Sequence, residues 1–269
     1  LLCLFIFFTA LAYTQNRSAD ELFNQGKAAE ISGDYYKAVE MYKSSLMLND
    51  DYFDAISGLA HSYYRLGEYE ESLKYILQAE KYVNKNTALM NLKGRVFLNM
   101  KEFISAEEIF REVLGLEENN IDAEFGLAEL DIASGRIFNA EGRYINALLV
   151  SPESRKALVA LVIINDNSGN IEKAEFYLRQ ALKFYSDNAH VQFIAADHFY
   201  SRGILDESLY HLKTALFLQP DYLEASILLS RIYMERDKYI ESVEVIESII
   251  GNHKNESILW YMLGRSYEK

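Results

Sequence analysis

Gly33-Asp34-Tyr35-Tyr36-Lys37-Ala38-Val39-Glu40-Met41-Tyr42-Lys43-Ser44-Ser45-Leu46 decides the fold, because its landmarks return at one fixed interval to the end of the chain. Gly33 is followed at steps of thirty-four residues by Gly67, Lys101, Gly135, Gly169, Gly203 and Asp237. A small residue five places on keeps step, as Ala38, Ser72, Ala106, Ala140, Ala174, Ser208 and Ser242. No insertion breaks the count. A period of about 20–50 residues marks an architecture of stacked repeats.

A second half-signature lies upstream of the turn residue. It is clearest near the end of the sequence, where Trp260, Leu263, Gly264 and Tyr267 reproduce the pattern W-x2-L-G-x2-Y. On these residues the chain resembles the tetratricopeptide repeat family, whose unit is a helix, a short turn and a second antiparallel helix. The resemblance covers residues 19–269 and implies an all-α, right-handed superhelical solenoid of antiparallel helix pairs. The repeat units run 19–52, 53–86, 87–120, 121–154, 155–188, 189–222 and 223–256, with 257–269 the first helix of an eighth.

Each recurring residue type then has a packing reason. The Ala38 column, and the column Gly26, Ala60, Gly94, Ala128, Ala196, Ser230 and Gly264 in the first helices, let two helix backbones approach. A large side chain there would overpack the contact at a cost of about 1–3 kcal/mol. Two large apolar columns, starting at Tyr35 and Tyr42, fill the space between helices and read as core, not as a cofactor box. Glycine at the turn takes positive φ without steric cost and Asp237 tolerates it, whereas Lys101 fits poorly, so the third turn is expected to be strained or differently shaped. Pro152 and Pro220, the chain's two prolines, are expected just past second helices, where they stop a helix without removing a needed donor. Asp131 and Asn165 break the column of Tyr63, Phe97, Phe199, Tyr233 and Tyr267. A buried acid or amide must be hydrogen-bonded, so either the position is open to water or a local partner such as Arg143 satisfies it.

Composition narrows the function. The chain carries 27 basic against 40 acidic residues, a net charge of −13. Such a surface repels phosphate backbones and anionic lipid, so no nucleic-acid partner is expected. Residues 1–15 stand outside the repeat. Their apolar run is too short to span a bilayer and matches the hydrophobic region of a signal peptide, with Ala10-Leu11-Ala12 as the small-x-small cleavage signal. Residues 1–12 read as the remnant of that leader and 13–18 as a short linker. An uncleaved N-terminal anchor is the competing account and the one route to a membrane. Cleavage would discard Cys3, the sole cysteine, and with it disulfides, thiolate catalysis and cysteine-based metal sites. An exported protein without cysteine fits a bacterial periplasm or cell envelope.

The sequence lacks a Gly-rich phosphate loop, an H-E-x-x-H and a G-x-S-x-G. The five histidines have no recurrent ligand spacing, and His190 and His198, two turns apart, read as exposed helix residues and not as a metal site. The expectation is therefore a non-enzymatic protein without cofactor or metal. Binding remains, and in the resembled family the partner lies on the concave surface lined by the first helices. Carried over position by position, this gives the column Phe23, Ser57, Asn91, Phe125, Val159, Phe193, Ile227 and Tyr261, and, four residues later on the same helix face, Lys27, His61, Arg95, Glu129, Ile163, Asp197, Arg231 and Arg265. Two stretches emerge. His61, Arg65 and Arg95 form a small basic patch, and Phe125, Val159, Ile163 and Phe193, with Tyr200 nearby, form an apolar strip suited to a partner's helix or extended segment. The alternative for the strip is that these side chains pack on the neighbouring repeat. The Lys/Asn/Arg set of a chaperone carboxylate clamp is absent, with Phe23 and Asn24 where its first lysine is needed. The repeats thus read as a scaffold for another protein, or alternatively as the sensory or targeting portion of a larger enzyme or signalling protein.

Overall fold

The computed structural model describes residues 18–269, and the leader segment with its expected cleavage site lies outside them. All regular structure among the described residues is helical. First helices are α1 (18–31), α3 (Phe53–Leu66), α5 (Thr87–Asn99), α7 (Ile121–Ala133), α9 (Arg155–Asn167), α11 (Ala189–Tyr200), α13 (Leu223–Glu235) and α15 (Ser257–Tyr267). Second helices are α2 (Tyr35–Leu48), α4 (Tyr69–Ala79), α6 (Phe103–Leu116), α8 (Ile137–Val150), α10 (Ile171–Phe184), α12 (Leu205–Leu218) and α14 (Tyr239–Ile250). The second helices begin at every thirty-fourth residue, the sequence period itself. The chain divides into two compact units, Leu1–Arg143 and Tyr144–Lys269, each with its own hydrophobic clusters.

The turn chemistry repeats down to the hydrogen bonds. Gly33, Gly67, Gly135, Gly169 and Gly203 have φ between 71° and 81°. The N–H that follows each reaches back to a carbonyl five residues earlier, as in Glu68 to Tyr63 at 2.9 Å and Ile204 to Phe199 at 3.0 Å. This left-handed cap satisfies carbonyls that a helix end would otherwise orphan. Lys101 and Asp237 adopt the same conformation, at φ 63° and 56°. The third turn is therefore not differently shaped, and the misfit of Lys101 remains as strain. Left-handed backbone costs a non-glycine residue about 1–2 kcal/mol, against about 0.5–1 kcal/mol of extra chain entropy that glycine loses on folding. Lys101→Gly is accordingly expected to raise unfolding stability by about 0.5–1 kcal/mol. An unchanged or lower urea midpoint would show that the turn is not strained.

At the other end of the first helices the caps also keep the period. Asn86, Asn120, Ser154 and Asn188 each accept from the backbone N–H three residues on, at 2.9, 2.9, 3.5 and 3.2 Å. Pro152 and Pro220 follow the ends of α8 and α12, as expected.

The small column from Ala38 to Ser242 is fully buried throughout. So is the column headed by Tyr42, which continues as Ile76 and Phe110 in the first unit and as Tyr144, Leu178, Leu212 and Ile246 in the second. The Tyr35 column differs: its members lie at the rim, with Ile137 and Ile171 exposed. Core and rim are thus divided within a single helix face, seven residues apart.

Candidate functional site

In the first unit, α3 places Ser57, His61 and Arg65 on one stripe, four residues between neighbours. The equivalent positions of Ser57 and His61 on α5 are Asn91 and Arg95, whose side chains pair with Asn120 and Asp122. A cavity of about 270 Å³ is lined by Phe53, Ser57, His61 and Asn86 with Leu89 and Leu92, an apolar slot with two polar side chains from α3 in its wall.

The basic patch is tethered from behind. His61 Nδ1 contacts Glu30 Oε1, and Glu30 Oε2 accepts from the Tyr42 hydroxyl at 2.7 Å. Burial raises the Glu30 carboxyl, but the hydrogen bonds from His61 and Tyr42 outweigh it and hold that carboxyl below the usual carboxylate range. The Arg65 guanidinium lies over the Tyr35 ring, 4.6 Å from its centroid. Arg95 Nη2 reaches Asp122 Oδ1 at 3.2 Å, a pair exposed on the acid's side. Arg65 and Arg95 are each oriented yet still within reach of solvent.

Two buried acceptors on this face are unused. Ser57 Oγ and Asn91 Oδ1 have no hydrogen-bond partner among the described residues, although Asn91 Nδ2 donates to Asn120 Oδ1 at 2.9 Å. A bare acceptor held out of water is costly unless something supplies a donor.

The apolar strip divides between packing and surface. Phe125 in the first unit is 6% exposed and Val159 in the second 7%, so both serve the helix interfaces. Ile163 remains 41% exposed. Phe193 is half-buried, its ring 5.3 Å from that of Tyr222, and the Tyr200 hydroxyl donates to Glu235 Oε1 at 2.6 Å. Near them Asp197 has its carboxyl pushed up, by burial first and then by the charge of Asp166. The second unit therefore offers Ile163, Phe193 and Tyr200 on its first-helix face, a smaller apolar area than the sequence pattern implies.

One histidine reading is corrected. His198 is not an exposed helix residue: it is 1% exposed, its Nδ1 lies 3.0 Å from both oxygens of Asp166, and Arg202 Nη2 donates to Asp166 Oδ1 at 2.6 Å. The period held the signal, because position 198 shares a column with Ser62, Val96, Leu130, Ile164, Ile232 and Ser266, all buried. His190, by contrast, is exposed, with Nδ1 2.8 Å from the Tyr222 hydroxyl. No group of three or more His, Cys, Asp or Glu side chains among the described residues is placed to hold a metal ion, and no described helix is long and apolar enough to cross a membrane.

Comparison with known proteins bears on the same architecture. A tetratricopeptide repeat family model matches residues 57–121 and 159–223, two stretches that start three full repeat periods apart. The chain is 23% identical over 166 residues to protein O-mannosyl-transferase TMTC3 of Homo sapiens, covering 59% of this chain and 18% of that protein. It is 28% identical over 154 residues to TPR repeat-containing protein MJ1428 of Methanocaldococcus jannaschii, covering 53% and 27%. The chain thus spans about a fifth to a quarter of the length of these relatives. Among solved structures, a tetratricopeptide repeat protein from Parabacteroides merdae superposes with a TM-score of 0.67 at 15% identity, covering 93% of this chain and 99% of that one.

Proposed function

The chain is a tetratricopeptide repeat protein, and from that premise we propose that it is a non-enzymatic scaffold of the cell envelope that holds a helix or extended segment of another protein on its first helices. The observation that carries this reading is the slot between α3 and α5, with His61 and Ser57 in its wall. A partner segment lying across α3 and α5 would place one apolar side chain in the slot. Its acidic side chains would meet Arg65 and Arg95. In the second unit, taken by itself, Ile163, Phe193 and Tyr200 offer an apolar surface on the first helices that would suit an apolar stretch of a partner. Export to the envelope is proposed on the apolar run of residues 4–12 and its small-x-small end.

The test is capture of bound proteins from the native envelope by the processed chain, compared with the double variant Arg65→Glu and Arg95→Glu. At least about a tenfold loss of the captured partner is expected, the scale of one or two charge-assisted contacts. The exposed outer substitution Lys81→Glu should leave capture unchanged. If the double variant holds the same set as the parent, the first-helix face of the first unit is not the binding surface.

A second reading, that the repeats form the targeting portion of a larger enzyme, is favoured by one observation. The relative named as a mannosyl-transferase is matched over 18% of its length. Identification of a catalytic domain in the same reading frame would decide for it.

A further inference from the structure

In the first unit α4 is cut short relative to its neighbours. α2 and α6 each run for 14 residues, whereas α4 ends after 11, at Ala79. The chain then turns tightly, with the Lys81 N–H donating to the Gln78 carbonyl at 3.2 Å and the Tyr82 N–H to the Ala79 carbonyl at 3.0 Å, contacts of the 3₁₀ kind. The repeat period is kept, so residues 80–86 make the connection to α5 where residues 117–120 suffice between α6 and α7. Under this longer connection, against α5 and α6, lies a cavity of about 250 Å³.

The connection is strained at one point, and the strained residue is a cation. Lys85 has φ 51°, a left-handed conformation that asparagine tolerates better than lysine. Asn84 and Asn86 stand on either side of it, and Asn86 is occupied in capping α5, where it accepts from the Leu89 N–H at 2.9 Å. Backbone strain of this kind gathers at functional sites. Here the strained residue holds its Nζ 3.2 Å from Glu112 Oε1 on α6. A second pair is less exposed: Lys93 Nζ donates to both oxygens of Glu80, at 2.9 and 3.0 Å, and the lysine side chain is 17% exposed. An ammonium has three donors, so one donor of Lys93 has no acceptor among the described residues.

The walls define the ligand. Two lysines and two glutamates balance to zero there, on a chain of net charge −13. A simple anion or cation would gain one attraction and meet one like charge, whereas a zwitterion satisfies both signs. Val83, Leu89 and Ile109 add an apolar wall. The volume is below the roughly 300–1,000 Å³ of a drug-sized site, which suits a small metabolite and leaves no room for a partner's helix. Lys85 and Glu112 are exposed on both sides of their pair, and such pairs are weak, so both side chains are free to turn to a ligand.

We propose that this cavity binds a free α-amino acid with an apolar side chain, its carboxylate toward Lys85 and Lys93, its ammonium toward Glu112 and its side chain on the apolar wall. Asn86 and Leu89 also line the α3–α5 slot, but the two sites share no charged group and this one does not rest on the role of the slot.

Isothermal titration calorimetry of the full chain with L-leucine is the test. Saturable binding is expected, weaker by at least about tenfold for isocaproate, which lacks the ammonium, and for isoamylamine, which lacks the carboxylate. Glu112→Gln and Lys85→Gly should each weaken leucine binding by a similar factor. Lys85→Gly separates binding from folding: it relieves the left-handed residue, so its circular dichroism should be unchanged and its urea midpoint raised while binding is lost. Three results would overturn the proposal: no saturable heat up to about 10 mM L-leucine, equal binding of isocaproate, which would make the cavity an anion site, or undiminished leucine binding by the Lys85→Gly chain, which would leave the ion pairs as props of the connection alone.

Discussion

Phe110→Ala is expected to destabilise the first unit by about 3–5 kcal/mol, the range for removing a fully buried aromatic side chain, and its effect should depend on two glycines in other helices. The Phe110 ring is fully buried between the backbones of α5 and α7. A methyl group at Gly94 would lie 2.6 Å from the ring and one at Gly126 2.3 Å from it. Tyr42 is held the same way between Gly26 and Gly58, where the corresponding distances are 2.7 and 2.6 Å. In these two repeats glycine stands on both sides of the ring, whereas the third ring of the column, Tyr144, has Ala128 and Ala160 at the corresponding positions. Gly126→Ala should cost about 1–3 kcal/mol by overpacking, partly offset by about 1 kcal/mol of better helix propensity. In the Phe110→Ala background the clash is gone and only the propensity gain remains, so Gly126→Ala should there be neutral or stabilising. Because repeat stability is close to a sum of local terms, hydrogen exchange across α5–α7 should accompany urea unfolding. Equal costs of Gly126→Ala in both backgrounds would mean that the ring does not set the glycine.

This interlock also shows what could be read from the chain without coordinates. The period, the left-handed turns and the buried columns of Ala38 and Tyr42 are local or repeated properties, and repetition averages out the exceptions that blur any single helix. Surface exposure on the first helices is not of that kind. Phe125 lies in α7, whose four acids fall on two opposite sides of the helix, so helical spacing alone does not say which side faces a neighbour. Val159 lies in α9 and is likewise buried, while Ile163, one turn later, is not. Whether such a side chain is consumed in packing depends on how the next helix crosses it, a tertiary fact that the pattern does not encode. The tethering of His61 by Glu30, a repeat apart, was hidden for the same reason.

Asp131→Ala is expected to cost about 3–5 kcal/mol, because it removes the shared acceptor of a buried ionic cluster. Asp131 accepts from Arg136 Nε at 2.6 Å and from Arg143 Nε at 2.8 Å, and Arg143 also donates to Glu124 Oε2 at 3.0 Å. Burial lowers the Arg143 guanidinium's proton affinity, but the bonds to Asp131 and Glu124 outweigh that and raise it, so the cation is held charged in a half-buried place. In other repeats the two positions, twelve residues apart, hold stacked rings: Tyr63 with Tyr75 at 5.6 Å and 8° between planes, and Phe199 with His211 at 5.5 Å and 4°. Asp131 and Arg143 are the ionic substitute for that stack. Replacing a buried ion pair by apolar groups of similar volume is often neutral or stabilising by about 1–4 kcal/mol. The double variant Asp131→Phe with Arg143→Tyr should consequently recover part of the loss seen in Asp131→Ala, since it removes the central pair together and leaves only the outer partners Glu124 and Arg136 unpaired by it. Urea midpoints of the singles and the double give the coupling directly. If the double variant is as unstable as the sum of its parts, the two positions do not form an interchangeable pair, and the ionic cluster is instead required by the geometry of α7 itself.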